Sequence, residues 1–230
     1  MENDLQGRIF FDYYTGKRTD YRLHTSYGDP EPVPIDIFFR TCEEFNELER
    51  IALDHCRGKT LELGAGVGSF ALALQRKGID VDALEQSPLC CQIMESMGVQ
   101  HVICQDLWKF EGVWYDTVVL MMNGIGLAGT LQNVPDFLNH IKGFLKPGGQ
   151  ILLDSSDIDY LYQHHDVPMP EDSYYGEVRF AYEYKGVRGE WFDWVYVDED
   201  RLTEIATSCG FHAETIFRSD YDDFLIRLTF

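Results

Sequence analysis

A glycine-rich loop between a predicted strand and a predicted helix is the segment of this sequence best suited to chemistry. In LELGAGVGSFALAL, residues 61–74, an apolar run leads into Gly64, Gly66 and Gly68, and a helical pattern begins at once. Glycine permits the backbone angles of such a turn and lets a ligand approach the main chain, while free N–H groups at the helix start face that ligand. The loop therefore predicts a site for a nucleotide-like cofactor.

Polar side chains follow the next three apolar runs, where parallel strands would end. Glu85 ends DVDALE about 20 residues past the glycines, where a carboxylate can accept hydrogen bonds from both ribose hydroxyls. Asp106 ends HVICQD, and Asn123 ends DTVVLMMN. Because ligands of parallel sheets bind beyond the carboxyl ends of the strands, we expect these side chains to meet the glycine loop in one crevice.

The spacing Glu62-x-Gly64-x-Gly66-x-Gly68 resembles motif I of the class I S-adenosylmethionine-dependent methyltransferases, and the markers over residues 58–155 extend the resemblance. The sequence is most similar to the members of this family that methylate small molecules, and its methyltransferase domain resembles those of the type 11 and type 25 groups. It implies S-adenosyl-L-methionine as the cofactor, with Glu85 on the ribose and Asp106 on the adenine amino group. The cofactor-binding residues that it implies are Glu62, Gly64, Ala65, Gly66, Gly68, Glu85, Gln86, Asp106, Leu107 and Asn123.

Two other hypotheses remain at this point. An NAD(P)-dependent oxidoreductase also uses a glycine loop, but its G-x-G-x-x-G spacing requires a glycine where this chain has Ser69, and it has no role for Glu62. A non-catalytic protein of the same fold would bind the cofactor, or nothing, and act through protein contacts. Its mark would be a damaged cofactor site, whereas the cofactor markers of this sequence are intact.

Methyl transfer from a sulfonium is an in-line displacement, so alignment and exclusion of water supply much of the acceleration without a protein nucleophile or a metal. A general base is useful only for an acceptor that arrives protonated. The weak catalytic candidates are His164, His165, Tyr14 and His24, since an imidazole titrates near neutral pH. We expect the acceptor side of the site to be formed by Tyr14, Tyr21, His24, Tyr27, Asp157, Tyr160, His164 and His165. No recognised metal-ligand spacing is present, and we predict no metal.

The predicted acceptor is a small molecule. The balance of 19 basic against 39 acidic residues gives a net charge of −20, which opposes binding to nucleic acid and to anionic membrane. Amino-methylating nucleobase enzymes carry [DN]-P-P-[FY] after the fourth strand, where this chain has residues 123–126, NGIG. Cytosine-carbon methylation needs a Pro-Cys nucleophile, and no cysteine here follows a proline.

Predicted strands and predicted helices follow one another in turn over residues 58–155. This alternation predicts a parallel sheet covered by helices on both faces. The predicted fold class is α/β: a Rossmann-like three-layer sandwich with a mostly parallel seven-stranded sheet, its last strand antiparallel, an N-terminal helical lid and a β-hairpin insertion. Apolar spacing close to 3.6 predicts one helix over residues 35–56, and alternation around KGVRG predicts the hairpin over 177–197.

A length of 230 residues favours one domain, residues 1–230. We divide it into an N-terminal lid segment (1–57), a cofactor-binding core (58–155), a loop and hairpin insertion (156–197) and a C-terminal helix and strand pair (198–230). The hairpin either covers the acceptor site or forms the surface of a homodimer.

The chain start, MENDLQGRIF, lacks the basic and apolar stretches of a secretory signal. The longest continuous apolar run, residues 118–122, is far shorter than a membrane span. The six cysteines form no C-x-x-C pair, which is typical of reduced thiols in a protein of this length. We therefore expect a cytoplasmic protein without a membrane partner.

Overall fold

The computed structural model describes residues 4–17, 19–112, 114–164 and 167–230. The N-terminal part contains, in chain order, α1 (Leu5–Tyr14), β1 (Tyr21–Thr25), β2 (Glu31–Pro32) and α2 (Glu47–His55). The central part contains β3 (Thr60–Leu63), α3 (Ser69–Arg76), β4 (Val81–Glu85), α4 (Pro88–Met97), β5 (Val102–Cys104), β6 (Tyr115–Leu120), α5 (Val134–Lys142) and β7 (Leu145–Ser156).

The last part contains α6 (Tyr160–His164), β8 (Glu177–Tyr184), β9 (Val187–Arg188), β10 (Phe192–Val195), α7 (Glu199–Ser208), β11 (His212–Arg218) and β12 (Asp223–Thr229). No helix within these described ranges is long and apolar enough to cross a membrane.

The main sheet has seven strands in the order β11-β12-β7-β6-β3-β4-β5. Strands β3 to β7 pair in parallel, whereas β12 is antiparallel to both β7 and β11. Both faces are covered: Val118 belongs to the core under α5 and α7, and its neighbour Val119 belongs to the core under α2 and α3. Burial on both faces explains the continuous apolar run of β6. The predicted fold class is confirmed.

The single helix predicted over residues 35–56 is wrong. Two short 3₁₀ turns, Ile35–Phe38 and Cys42–Glu44, precede α2. The helix begins late because Asn46 and Glu49 form a capping box: Glu49 N donates to Asn46 Oδ1 (2.8 Å), and Asn46 N donates to Glu49 Oε2 (2.9 Å). Such local side chain–backbone bonds fix a helix start that apolar periodicity does not reveal.

The segment Lys146-Pro147-Gly148-Gly149 also differs from expectation. Its Pro-Gly-Gly run is typical of a turn, but α5 ends at Lys142 and the segment belongs to β7. The pairing of β7 with β6 is irregular there, with a register shift between Tyr115 and Thr117. The glycines and the proline are therefore accommodated where the ladder is distorted.

A second, antiparallel sheet covers one end of the main sheet. Its order is β10-β8-β1-β2, with β9 paired to β8, so the N-terminal lid segment contributes two strands as well as helix α1. Lys185 and Gly186, both at positive φ, form the tight turn of the predicted hairpin. Trp194 of β10 lies against Gly126, where an added Cβ would lie 2.0 Å from Trp194 Cε2. The sheet therefore packs over the segment that follows β6.

Candidate functional site

The glycine loop joins β3 to α3, and its three glycines have positive φ values of 69°, 56° and 84°. Gly68 is buried, and a Cβ there would lie 2.8 Å from Met94 Cγ and 2.9 Å from Val99 Cγ2. At Gly64 the nearest atom, Leu127 Cδ1, is 3.1 Å away, and at Gly66 nothing lies within 4 Å. Gly68 therefore permits close packing of α3 on α4, whereas Gly66 borders open space that a ligand can occupy.

Glu85, the last residue of β4, is bonded to the loop. The N–H groups of Gly64 and Ala65 both donate to Leu84 O (3.0 Å each), and Gly66 N donates to Glu85 Oε2 (2.9 Å). Ser87 N donates to Glu85 Oε1 (2.8 Å). Burial raises the pKa of Glu85, and these N–H groups oppose the rise. Each carboxylate oxygen keeps a further lone pair, so Glu85 can still accept two ligand hydroxyls.

Glu62 lies in β3, beneath the loop, and is only 5% exposed. Its Oε2 has no hydrogen-bond partner among the described residues. Burial raises the pKa of Glu62 to about 8, although the Ala71 N–H at the start of α3 opposes that rise. A buried oxygen without a partner costs free energy, so this position favours a hydrogen-bond partner from a ligand or from water.

Asp106 follows β5 and keeps its carboxylate partly exposed. Asp106 Oδ1 accepts a hydrogen bond from Trp108 N (3.0 Å), which caps the short turn Leu107–Lys109. Leu107 packs against the main core, and its carbonyl oxygen accepts from His140 Nε2 (2.9 Å). The turn therefore fixes Asp106 beyond the carboxyl end of β5, as the sequence predicted. Gln86, which follows Glu85, is exposed.

Asn123 follows β6 in an unusual backbone conformation. Met122 and Asn123 have positive φ values of 63° and 59°. The buried carboxylate of Asp154 holds this turn, because it accepts hydrogen bonds from Asn123 N (2.9 Å) and Gly124 N (3.1 Å). Burial raises the pKa of Asp154 to about 6. A conformation of this kind persists only where its surroundings enforce it, and it is often found at functional sites.

A chain of polar side chains runs from Asn123 to the last strand. Ser156 Oγ lies 2.8 Å from Asn123 Oδ1 and 2.6 Å from Asp223 Oδ1. Because a serine hydroxyl donates only one proton, both contacts are satisfied when the Asn123 amide is turned so that its NH₂ group donates to Ser156. Ser156 then donates to Asp223, and all three side chains are held in place.

A cavity of about 210 Å³ lies beside this chain, beyond the carboxyl ends of β6 and β7. Its lining residues come from five separate segments: Tyr27, Asn123, Ser156, Ile158, Tyr160, Leu161, Tyr196, Tyr221 and Asp223. Tyr27 and Tyr160 were predicted on the acceptor side, whereas Tyr196, Tyr221 and Asp223 were not. The only sequence signal for Tyr196 was the aromatic content of the predicted hairpin.

Tyrosine side chains connect the cavity with the glycine loop. Burial raises the pKa of Tyr182, and the nearby groups Glu85, Tyr21 and Tyr196 raise it further. Tyr196 lines the cavity, while Glu85 is bonded to Gly66. The Tyr21 hydroxyl is buried without a hydrogen-bond partner among the residues that the structure describes. Tyr21 and Tyr182 pack with Val67 of the glycine loop, and Tyr182 stacks on Phe192, which packs in the same cluster as the cavity residue Tyr196. The second sheet therefore packs against both the loop and the cavity.

The weak catalytic candidates do not meet at this cavity. His24 lies on β1 with its Nε2 2.6 Å from Glu183 Oε2, and its neighbour Leu23 packs with the cavity residue Ile158. Because successive strand residues alternate in direction, His24 faces away from the cavity. Tyr14 is exposed at the end of α1 and is not a lining residue.

His164 ends α6, and His165 lies outside the described residues. Within the described part of the chain, no group of three or more metal-ligand side chains is arranged to hold a metal ion.

Comparisons with known proteins agree on one family. A family model described as a methyltransferase domain, that of type 23 rather than types 11 or 25, matches residues 39–215. No curated protein sequence matches the chain. The crystal structure of a SAM-dependent methyltransferase from Bacteroides fragilis, in complex with S-adenosyl-L-homocysteine, is 37% identical with a TM-score of 0.89 and covers 99% of this chain and 95% of that one.

Two more distant structures share the fold. A S-adenosylmethionine-dependent methyltransferase from Clostridium acetobutylicum is 14% identical, with a TM-score of 0.59, over 78% of this chain and 86% of that one. The sugar N-methyltransferase KedS8 from Streptoalloteichus is also 14% identical, with a TM-score of 0.54, over 87% of this chain and 94% of that one.

Proposed function

The chain belongs to the class I S-adenosylmethionine-dependent methyltransferases, and on that premise we propose that it transfers a methyl group to a small-molecule acceptor by in-line displacement, mainly through positioning. One observation carries the proposal: Glu85 is bonded to the open glycine loop at Gly66, and Asn123, which follows the neighbouring strand β6, lines a cavity at the same edge of the sheet. We treat residues 1–230 as a single methyltransferase domain with the four segments defined above. The hypothesis of an NAD(P)-dependent oxidoreductase does not apply to a member of this family.

The residues present fit the cofactor. The open space at Gly66 admits a ligand against the main chain, and the unpartnered Oε2 of Glu62 offers a hydrogen-bonding group beneath the loop. We assign the ribose to Glu85 and the adenine amino group to Asp106. The remaining contacts that we assign are those of Glu62, Gly64, Ala65, Gly66, Gln86, Leu107 and Asn123, and Gly68 shapes the loop.

When bound, the cofactor supplies a methyl group that its sulfonium makes electrophilic. The protein's own contribution is to align the acceptor and to exclude water. Asp154 and the Ser156–Asp223 pair hold Asn123 between the glycine loop and the cavity. The second sheet covers this region, with Trp194 packed on Gly126.

The proposal includes no general base. His24 is held by Glu183 on the far side of the second sheet, and Tyr14 is outside the cavity. In-line displacement by a neutral nucleophile with a free lone pair needs no proton removed beforehand. A catalytic role for His164 or His165 stays a prediction from the sequence.

We also propose that the protein acts in the cytoplasm, without a nucleic-acid or membrane partner. The net charge of −20 and six free cysteines support this proposal. A homodimer through the second sheet stays a prediction.

The experiment that tests the proposed function is calorimetric titration with S-adenosyl-L-methionine, S-adenosyl-L-homocysteine and NADH. We expect micromolar binding of the two sulfur compounds and none of NADH. Asp106→Ala removes a charged hydrogen-bond acceptor, so we expect affinity to fall about tenfold or more. Asp80→Ala is the matched control, because Asp80 is an exposed aspartate just before β4, at the opposite edge of the sheet. Absence of binding by both sulfur compounds contradicts the proposal.

A further inference from the structure

The cavity beside Asn123 has an unusual chemical lining for its size. Four of its nine lining residues are tyrosines, one is an aspartate, and none of the nine is Lys, Arg or His. Asp154 lies buried close by, and its charge, like that of Asp223, raises the pKa of Tyr196. The electrostatic potential inside the cavity is therefore negative, in a protein whose net charge is already −20.

Asp223 is held so that it can meet a ligand. Its Oδ1 accepts from Ser156 Oγ (2.6 Å), and its N–H donates to Ser219 Oγ (3.2 Å). Across the described part of the chain, Asp223 Oδ2 makes no hydrogen bond. A half-buried carboxylate fixed through one oxygen, with the other available, is an acceptor for an N–H or O–H group of a bound molecule.

The rings around Asp223 favour positive charge. Aromatic side chains attract an organic cation through their electron-rich faces, and a carboxylate adds a charge-assisted hydrogen bond. An acceptor that reacts as an alkoxide or a carboxylate would bring negative charge into the same cavity, where no basic side chain offsets it. The lining therefore discriminates between classes of acceptor by charge.

We propose that this cavity binds the methyl acceptor as an amine, with the nucleophilic nitrogen donating a hydrogen bond to Asp223 and the tyrosine rings around it. The inference rests on the proposed function and names the substrate class of that same site. The amine reacts in its neutral form, which a bound ammonium reaches by losing one proton to solvent. One N–C bond then forms from the nitrogen lone pair, one C–S bond breaks with its electron pair leaving on sulfur, and the methylated nitrogen loses a proton to solvent. Positive charge develops on the nitrogen in this step, where Asp223 and the rings stabilise it.

The size of the cavity limits the amine. A volume of about 210 Å³ is below the ~300–1,000 Å³ of pockets that enclose drug-sized ligands. It accommodates one ring with its amino group rather than a polymer chain. The acceptor that we infer is therefore a small primary or secondary amine, or the amine-bearing ring of a larger molecule.

The test uses three probes of one shape and different charge: cyclohexylamine, cyclohexanol and cyclohexanecarboxylate. Their binding is measured by calorimetry on the full chain, alone and saturated with S-adenosyl-L-homocysteine. We expect the amine to bind about tenfold or more tightly than the alcohol, and the carboxylate not to bind. Asp223→Asn weakens amine binding about tenfold. Its amide oxygen can still accept from Ser156 Oγ and so keep Asn123 in place, and we expect a smaller change in the affinity for S-adenosyl-L-homocysteine. Asp222→Asn, at the adjacent exposed carboxylate, leaves both unchanged.

Two results would overturn the inference: equal or tighter binding of the alcohol or the carboxylate, or an equal effect of Asp222→Asn and Asp223→Asn. The ligand series on the unmodified chain decides the matter even if Asp223→Asn disturbs folding. A failure of S-adenosyl-L-homocysteine to bind contradicts the proposed function instead. The three probes are then compared on the chain without S-adenosyl-L-homocysteine, and that comparison still tests the preference for an amine.

Discussion

Three carboxylates, two buried and one half-buried, lie at the carboxyl edge of the main sheet. Glu85 accepts the N–H groups of Gly66 and Ser87, and Asp154 accepts those of Asn123 and Gly124. Each therefore holds a turn at the carboxyl end of a parallel strand. Glu62 differs from these two, since one of its oxygens has no hydrogen-bond partner among the described residues. A carboxylate can therefore be buried where main-chain N–H groups donate hydrogen bonds to it. A buried carboxyl oxygen without such a bond indicates a place where a ligand can supply the missing partner.

The pH dependence of stability reports the burial of Glu62. Its pKa rises from the ordinary 4.5 to about 8 on folding, so the folded chain holds this proton more tightly than the unfolded chain. The free energy of unfolding therefore contains a contribution that falls as pH rises through that interval. We expect Glu62→Gln to remove this fall. The stability of the variant relative to the unmodified protein should therefore be greater near pH 8 than near pH 4.5.

Urea unfolding at a series of pH values measures this difference. Asp154 titrates in both proteins, so its own contribution cancels when the two profiles are subtracted. Glu95→Gln, at an exposed position of α4, is the matched control and should follow the unmodified protein at each pH. Parallel profiles for Glu62→Gln and the unmodified protein would contradict the burial described here.

The glycine loop shows how one element meets two demands. Gly66 and Gly68 share a left-handed backbone conformation, but Gly68 is packed against Met94 and Val99 while Gly66 faces open space. A methyl group at Gly68 has to displace the side chains between α3 and α4. A methyl group at Gly66 meets no protein atom and instead enters the region that we assign to the cofactor. The same residue type is therefore required by packing at one position and by ligand access at the other.

Alanine substitutions separate these two roles. We expect Gly68→Ala to lower the free energy of unfolding by about 3 kcal/mol, since left-handed strain and overpacking add together. We expect Gly66→Ala to lower it by only about 1 kcal/mol, from backbone strain alone. Binding of S-adenosyl-L-homocysteine should weaken about tenfold or more in Gly66→Ala. Urea unfolding and calorimetry on both variants provide the comparison, and a larger stability loss at Gly66 would refute it.

Distant parts of the chain are joined by buried polar contacts of helix α1. Asp4 Oδ2 accepts from Ser87 Oγ (2.7 Å) at the start of α4. Asp12 accepts from Lys17 Nζ (2.6 Å), Lys185 Nζ (2.8 Å) and Tyr184 Oη (3.0 Å), the last two at the turn of the hairpin. These hydrogen bonds hold the pKa of Asp12 well below its usual range, with Lys17 as the largest cause. Helix α1 therefore connects the cofactor-binding core to the second sheet.

The unfolding of the whole molecule, measured in variants of Asp12, tests this connection. Asp12→Asn removes the charge that faces two lysines, and we expect a loss of about 1–2 kcal/mol in the free energy of unfolding. The loss should be largest near neutral pH and disappear in strong acid, because a lowered pKa stabilises fully above the unfolded-state value and the contribution is lost as the pH falls toward the folded-state value. Asp54→Asn, at an exposed ion pair with Lys77, is the matched control and should change little. A single thermal transition is expected for both variants, and equal losses would contradict the role of Asp12.

The parts of the fold that depend on local chemistry could be predicted from the sequence. Strands β3, β4, β6 and β7 are marked by apolar residues buried on both faces, and α4 by its Ser87 cap and the left-handed Gly98. The glycine loop, Glu85, Asp106 and Asn123 lie where the rule of carboxyl-terminal strand ends places them. The start of α2 was missed because the Asn46–Glu49 capping box acts over four residues within an otherwise helical pattern.

Sequence alone determined the family and the cofactor, because strand, glycine turn and helix follow one another within residues 58–155 and their spacing is imposed by backbone geometry. The acceptor cavity, in contrast, is formed by tertiary contacts. Tyr27, Asn123, Tyr196 and Asp223 lie far apart along the chain and meet because β1 pairs with β8, β10 with β8, and β12 with β7. Long-range pairing of this kind leaves no periodic signal at the residues that it brings together, whereas each local turn does.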